Sequence, residues 1–198
     1  MRELDDAAAA QHGMRRTVDL IDSLKTDLPL RDYETISLNG LCVQCIPLPG
    51  HTKCSVGFYF KEHNFLIASE SIGVFSGGDV ISPAFLVGYQ MSVDSIRRVM
   101  EMDVKNMLLP HYGILHGEKC REYLETAMLW TVRCRDALLD AFNAGKSREE
   151  MIGVIRDMFY VGTLLKYQPE KAFLVNAGHM ADLIIREFNL TSGNSEEK

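Results

Sequence analysis

The sequence has no long apolar run and no cluster of basic residues, and both absences narrow the class of protein. No segment reaches the roughly 20 apolar residues that a membrane-spanning helix requires. The net charge is -6, and no Lys/Arg cluster offsets it, so neither nucleic acid nor a membrane is expected as a partner. The N-terminal stretch is charged and lacks the apolar segment of a signal peptide. These features predict a cytoplasmic protein.

Cysteine is also scarce and arranged irregularly. The five cysteines are an odd number at uneven spacings, which does not fit a disulfide framework. Cys42 and Cys45 form a C-x-x-C pair, but they lie on a predicted strand, where residues three apart point to opposite faces. The pair is therefore not expected to chelate one ion. We expect both residues, and Cys54, to act as small buried hydrophobes.

The sequence contains enough apolar residues to form one core, and most elements predicted in its first half are strands. The 198 residues are 46% apolar. Residues 1–26 are predicted to be helical from the phase of their apolar residues. The stretch 33–47 alternates around Asn39-Gly40, a strong hairpin signal. Two further strands are predicted at 55–60 and 65–69, and 70–90 is predicted to be a loop.

The second half of the sequence is predicted to be mostly helical. A helix capped by Ser92 is expected to run to about Met102, followed by a strand that ends at Leu109. Three helices then begin near Glu118, at a capping box opened by Ser147, and near Pro169. We predict an α+β fold with a strand-rich domain over 1–125, a helical extension over 126–190 and a disordered tail over 191–198.

Three side chains that can bind metals follow predicted strands. His51 comes after the strand that ends at Pro47, Glu70 comes after 65-FLIAS-69, and His111 comes after the strand that ends at Leu109. Strand ends of one sheet can meet at one edge, where loops build a site on a rigid base. Two imidazoles and a carboxylate suit Zn²⁺ or another divalent transition metal. The sequence therefore predicts a metal site at this edge.

The order 49-PGHTKCS-55, 66-LIASESIG-73 and 109-LPHYG-113 resembles the second half of a metallo-β-lactamase-fold hydrolase. The resemblance covers roughly residues 36–125 and implies the second half of an αββα sandwich. It implies that His51 and His111 each complete a different metal position and that Glu70 takes the place of the bridging carboxylate. The implied cofactor is a divalent metal, Zn first, with Mn or Fe as alternatives.

The sequence departs from this family in two ways. Glu70 stands where the family usually has Asp, and Asp79 in 76-SGGDV-80 is the second candidate for that position. The family's H-x-H-x-D-H motif, which supplies most metal ligands and the proton-handling Asp, has no counterpart upstream of His51. No catalytic residue is therefore assigned. The first half of the sandwich is expected to be missing, as in a fragment, a misplaced start or a remnant.

The resemblance implies hydrolysis of an ester, lactone, thioester, amide or phosphoester, by attack of a metal-bound hydroxide on a small-molecule substrate. Tyr112 and Tyr89 are candidates to line the substrate pocket, which the segment Ile72–Tyr89 and the helical extension are expected to shape. A missing half-sandwich would leave one apolar sheet face uncovered. Three situations are compatible with this: an upstream part of a longer protein covers the face, a homodimer forms through it, or residues 1–32 and the C-terminal helices cover it. The alternative to an enzyme is a non-catalytic half-fold that acts as a binding or dimerisation module.

Overall fold

The structure is a computed structural model that describes Ala10 and residues 26–190. Apart from Ala10 and Thr26, the helix predicted over 1–26 lies outside the described residues, as does the tail predicted over 191–198. The described strands are β1 Thr35–Leu38, β2 Leu41–Pro47, β3 Val56–Phe60, β4 Phe65–Ile67, β5 Val74–Gly77, β6 Val80–Ser82, β7 Asn106–Leu109 and β8 Gly113–His116. The described helices are α1 Tyr89–Met100, α2 Glu118–Asn143, α3 Arg148–Phe159, α4 Gly162–Tyr167 and α5 Glu170–Glu187. This α+β architecture confirms the predicted fold class.

One six-stranded sheet organises the fold, in the order β1-β2-β3-β4-β7-β8. The predicted hairpin is confirmed: Asn39 and Gly40 link β1 and β2 with φ angles of 49° and 87°, the left-handed values that this short turn requires. Strands β1 to β4 pair antiparallel, and β4 pairs parallel with β7. Strands β2, β4 and β7 therefore run in the same direction, so their C-terminal ends lie at one edge of the sheet.

Three short elements were not predicted from the sequence. The predicted loop over 70–90 contains the hairpin β5–β6, whose strands are only four and three residues long. Strand β8 and helix α4 are four and six residues long. Helix α1 begins at Tyr89 instead of near Ser92, because the carboxylate of Glu187 accepts hydrogen bonds from the backbone N–H groups of Tyr89 and Gln90. A cap supplied from almost 100 residues away has no local sequence signal.

Two apolar clusters form the core, and α2 contributes to both. The first cluster joins one sheet face, with Tyr59, Leu66 and Met107, to α1 and the first half of α2. The second joins the start of α1 to the rest of α2, α3 and α5. The boundary predicted between residues 125 and 126 falls inside the continuous helix α2, so this helix connects the sheet layer to the helical extension.

No helix among the described residues is long and apolar enough to cross a membrane.

The opposite face of the sheet carries its own row of apolar side chains. The strand registers place Cys45, Phe58, Ile67, Leu108 and Ile114 side by side across β2, β3, β4, β7 and β8. Residues directly opposite each other on paired strands share a face. Burial is graded along this row, since Cys45 is 3% exposed and Ile114 is 49% exposed. The apolar face predicted from sequence is therefore exposed at its β8 end and buried at β2.

The cysteines follow the predicted alternation but not the predicted burial. Cys42 is exposed and Cys45 is buried, as expected for residues on opposite faces of β2. The prediction that Cys42 and Cys54 are buried is wrong. Cys42 lies near the exposed hairpin end of the sheet, and Cys54 lies in the turn between β2 and β3.

Candidate functional site

The three predicted ligands meet at the sheet edge where β2, β4 and β7 end. His51 lies in the turn after β2, and His111 lies in the turn after β7. Glu70 is the first residue of a one-turn 3₁₀ helix, Glu70–Ile72, that follows β4. His51 Nε2 lies 2.6 Å from Glu70 Oε2. His111 Nε2 contacts the other carboxylate oxygen, Oε1. One carboxylate thus joins two imidazoles, and we call this arrangement the His–Glu–His cluster.

Backbone contacts fix the orientation of His51. Its Nδ1 lies 3.2 Å from the carbonyl oxygen of Ala84. A carbonyl oxygen can only accept, so Nδ1 carries a proton and donates, and Nε2 is the nitrogen that faces Glu70. The backbone N–H of His51 also donates to Ser71 Oγ at 3.0 Å. A ring held in this way by its second nitrogen is the usual arrangement of a metal-binding histidine.

The loop that follows β6 is tied to the same turn. The backbone N–H groups of Leu86 and Val87 both donate to the carbonyl oxygen of Gly50, at 2.9 and 3.0 Å. Gly50 has a φ of 140° and approaches the backbone of α1 at Ser92, where a Cβ atom would not fit. The position of His51 therefore depends on the loop, on α1 and on a glycine.

The charges within the cluster reinforce one another. The hydrogen bond from His51, together with that from His111, lowers the pKa of Glu70 to about 2, although burial opposes the shift. The hydrogen bond to Glu70 raises the pKa of His51, against the effect of burial. The side chains of His51 and Glu70 are 24% and 26% exposed, whereas that of His111 is 66% exposed. The cluster is thus anchored on its inner side and open to solvent at His111.

The donor atoms fit a divalent transition metal in kind, but their present spacing does not. Two ligands of one tetrahedral Zn²⁺ lie roughly 3.4 Å apart, given metal–ligand bonds of about 2.1 Å. The His51–Glu70 contact of 2.6 Å is shorter, and within residues 26–190 no group of three or more His, Cys, Asp or Glu side chains has the geometry to hold a metal. A bound ion would have to enter by opening these hydrogen bonds. Each carboxylate oxygen faces one imidazole.

A cavity of about 590 Å³ opens beside the cluster, and the three cluster residues are part of its lining. Its other walls come from β5, from the loop after β6 and from helices α3, α4 and α5. Most of these walls are apolar; the side chains are Val74, Phe75, Pro83, Ala84, Leu86, Ile155, Leu164, Tyr167, Pro169, Ala172, Phe173, Ala177 and Met180, with Ser82, Thr163, Gln168 and Asn176 as polar members. The helical extension thus encloses the space next to the candidate ligands.

The remaining predicted site residues lie elsewhere. Tyr112 packs against Phe75, with ring centroids 4.3 Å apart, and is 48% exposed beside the cavity. Tyr89 is 4% exposed in the second core cluster, and its hydroxyl accepts a hydrogen bond from Arg135; it does not line the cavity. Asp79 is exposed in the β5–β6 turn, where its carbonyl oxygen accepts from Trp130. Of the two acidic candidates, Glu70 is the one that contacts the histidines.

The walls come from the segments expected to shape the pocket, residues 72–89 and the helical extension, but the individual lining residues were not predicted. The residues on α4 and α5 are ordinary apolar helix positions, and nothing local distinguishes a side chain that faces a cavity from one that faces a core. The loop 83–86 carried a weak signal, since Pro83 interrupts the chain between two elements. Only the packing of the helical extension against β5 brings these residues to the cluster.

Comparisons with solved structures agree with this fold. The chain is similar to a metallo-β-lactamase family protein from Thermus thermophilus, with a TM-score of 0.61 and 18% identity over 96% of this chain and 62% of that one. It is also similar to a stereoselective inverting sec-alkylsulfatase from Pseudomonas sp. (TM-score 0.53, 13% identity, 84% of this chain and 27% of that one). A β-lactamase domain protein from Burkholderia ambifaria gives a TM-score of 0.52 and 14% identity, over 79% of this chain and 46% of that one.

These likenesses establish the fold. The chain has the metallo-β-lactamase fold, as the resemblance of its strand-end motifs implied. It spans at most 62% of the length of each of these three structures. No protein-family model and no curated protein sequence matches it.

Proposed function

We propose that this chain carries part of the active site of a metal-dependent hydrolase, with His51, Glu70 and His111 as metal ligands. The observation that carries the proposal is the His–Glu–His cluster, in which one carboxylate contacts an imidazole on each of its oxygens at the edge of a cavity. Hydrogen bonds alone do not explain why the three groups occupy the ends of three parallel-running strands. Metal coordination does, since it needs side chains from different elements at one point.

The proposed roles follow from the contacts of each residue. Glu70 would supply one carboxylate oxygen as a ligand on the side of His51 and the other on the side of His111. His51 would bind through Nε2, because Nδ1 donates to Ala84. A bound divalent metal, Zn before Mn or Fe, would polarise the scissile bond of an ester, lactone, thioester, amide or phosphoester and activate water. Each side receives only one imidazole and one carboxylate oxygen from this cluster, so further ligands are required for catalysis.

The first test is the metal content of the purified chain. We expect stoichiometric Zn, Mn or Fe in the unaltered protein, measured by elemental analysis after purification without chelators, and its loss in His51→Ala. The matched control is His179→Ala, which removes an exposed histidine on α5, away from the cluster. Circular dichroism of each variant checks that the fold is intact.

A folded chain that retains no metal, even after incubation with excess Zn²⁺, would contradict the proposal. Equal metal loss in His51→Ala and His179→Ala would also contradict it, because metal would then not depend on the cluster. Hydrolysis of ester and lactone substrates by the metal-loaded protein, abolished in Glu70→Gln, would extend the proposal from metal binding to catalysis.

The alternative proposal is a non-catalytic binding module that dimerises through the apolar sheet face. The row of apolar side chains from Phe58 to Ile114 favours it. Sedimentation velocity distinguishes the two, since Ile114→Lys should then dissociate a dimer while Leu165→Lys, on exposed α4, should not. Either role is proposed for a cytoplasmic protein whose partner is a small molecule or a second copy.

A further inference from the structure

The cavity beside the cluster has an unusual charge distribution. Of the described residues that line it, Glu70 is the only one with a carboxylate, and none has an ammonium or guanidinium group. The polar side chains that the helical extension contributes, Thr163, Gln168 and Asn176, are neutral. A charged ligand group placed against these walls, away from the cluster, would lose its hydration without gaining an opposite charge, which is costly.

We infer that the cavity binds the uncharged hydrocarbon chain of an acyl or alkyl substrate. The inference rests on the proposed function for the reaction at the cluster, and it adds the class of substrate. The reacting carbonyl would lie at the His–Glu–His cluster, and the chain would extend along Leu164 of α4 and Phe173 and Met180 of α5. Any charged part of the substrate would lie outside, on the solvent side near His111.

The size and composition of the cavity support a chain of moderate length. A volume of about 590 Å³ lies within the range of small-molecule sites, whose walls are mostly apolar with a few polar groups that fix orientation. The side-chain NH₂ groups of Gln168 and Asn176 can donate to a carbonyl or ester oxygen of the substrate. Ser82 is less available, because its hydroxyl donates to the carbonyl oxygen of Pro83.

Chain-length dependence gives a quantitative expectation. Burying one methylene group contributes about 0.8 kcal/mol, which corresponds to about a fourfold change in affinity. Lengthening the chain from four to eight carbons should therefore tighten binding by about two orders of magnitude. The gain should stop once the chain exceeds the cavity.

The experiment measures binding instead of turnover, so that it does not depend on catalysis. The probes are the N-methyl amides of butanoic, hexanoic and octanoic acid, which hydrolyse far more slowly than the corresponding esters, and the mono-N-methylamide of octanedioic acid, which carries a charge at its far end. Binding to the whole chain is measured by isothermal titration calorimetry with and without Zn²⁺. We expect affinity to rise about fourfold per methylene and the far-end carboxylate to weaken binding at least tenfold.

Two pairs of variants locate the bound chain. Leu164→Asp places a charge in the cavity wall, whereas Leu165→Asp places it on the exposed side of the same short helix. Only Leu164→Asp should weaken octanoyl amide binding, by at least tenfold. Ala172→Phe adds bulk to the lining and should abolish the gain from six to eight carbons. Val175→Phe, at an exposed position on α5, should leave the gain unchanged.

The outcomes separate this inference from the proposed function. Affinity that does not depend on chain length, or equal effects of Leu164→Asp and Leu165→Asp in folded protein, would overturn the inference even if metal binds at the cluster. If Leu164→Asp does not fold, the Ala172→Phe and Val175→Phe pair decides. Chain-length-dependent binding in a protein that binds no metal would support the apolar site and contradict the proposed reaction.

Discussion

Replacing Glu70 with Gln should destabilise the metal-free protein in a pH-dependent way. The substitution keeps the size of the side chain but removes the negative charge between His51 and His111. Both imidazoles then lose a charged acceptor for Nε2. The effect should be measured after treatment with a chelator, so that only the interactions among the three side chains contribute.

The magnitude follows from the depressed pKa of Glu70. Its pKa falls from an ordinary 4.5 to about 2, and this difference corresponds to at most about 3.4 kcal/mol. Because the side chain is 26% exposed, screening by solvent reduces the expected contribution to about 1–2 kcal/mol. In a chain of 198 residues this lowers the Tm by about 2–8 °C.

The pH dependence distinguishes charge from packing. Since the pKa of Glu70 is lowered, its contribution is present above pH 4.5 and is lost as the pH falls through about 2. The pKa of His51 is raised above the ordinary histidine value of 6.5. The contribution of His51 to stability is therefore present below pH 6.5 and is lost as the pH rises through the pKa of the folded state. The difference between wild type and Glu70→Gln should therefore be largest between pH 4.5 and 6.5.

Differential scanning calorimetry at pH 3, 5.5 and 9 checks this expectation. At pH 3 the Glu70 contribution should fall to roughly two-fifths of its value at pH 5.5. Asp79→Asn is the control, because it removes an exposed carboxylate from the β5–β6 turn. Equal Tm values for wild type and Glu70→Gln at pH 5.5 would refute the reasoning. A difference of the same size at all three pH values would show that the loss comes from packing.

Two further predictions test how the site is supported. Glu187→Ala should lower the free energy of unfolding by about 1 kcal/mol in urea, because it removes the carboxylate that caps α1, whereas Glu187→Gln should retain part of the cap. Gly50→Ala should cost more than about 2 kcal/mol and displace His51, because its Cβ would lie 2.9 Å from backbone atoms of Ser92 at a positive φ. Gly153→Ala, in open space on α3, should be neutral or stabilising. An unchanged unfolding midpoint in Glu187→Ala or Gly50→Ala would contradict the corresponding prediction.

Strong local signals in the sequence predicted much of the sheet and the cluster. Asn39-Gly40 fixed the first hairpin, because few other residue pairs adopt two left-handed conformations in succession. The positions of His51, Glu70 and His111 after strands were also visible, and the pairing of the strands then brought them together. Their mutual contact needed the parallel pairing of β4 with β7, which the residues alone do not specify.

Features that depend on long-range packing could not be predicted. Strand β8 is short, and its burial alternates only weakly, so it has little periodicity of its own. The tyrosines show the same limit in the site. Tyrosine is a residue type that is expected in a substrate pocket, but Arg135 on α2 and Phe188 beyond α5 hold Tyr89 in the core. Whether an apolar residue lines a cavity or a core depends on elements that are distant in sequence.

The loop after β6 links the two proposed properties of the site. Ala84 accepts the hydrogen bond that orients His51, and Ala84 and Leu86 also line the cavity. Leu86 in addition donates its backbone N–H to Gly50, next to His51. A substitution that moves this loop must therefore change both the direction of His51 Nε2 and the shape of the apolar wall. The proposed selectivity for a substrate chain and the proposed metal-ligand role of His51 are thus not independent, because both depend on one short segment of backbone.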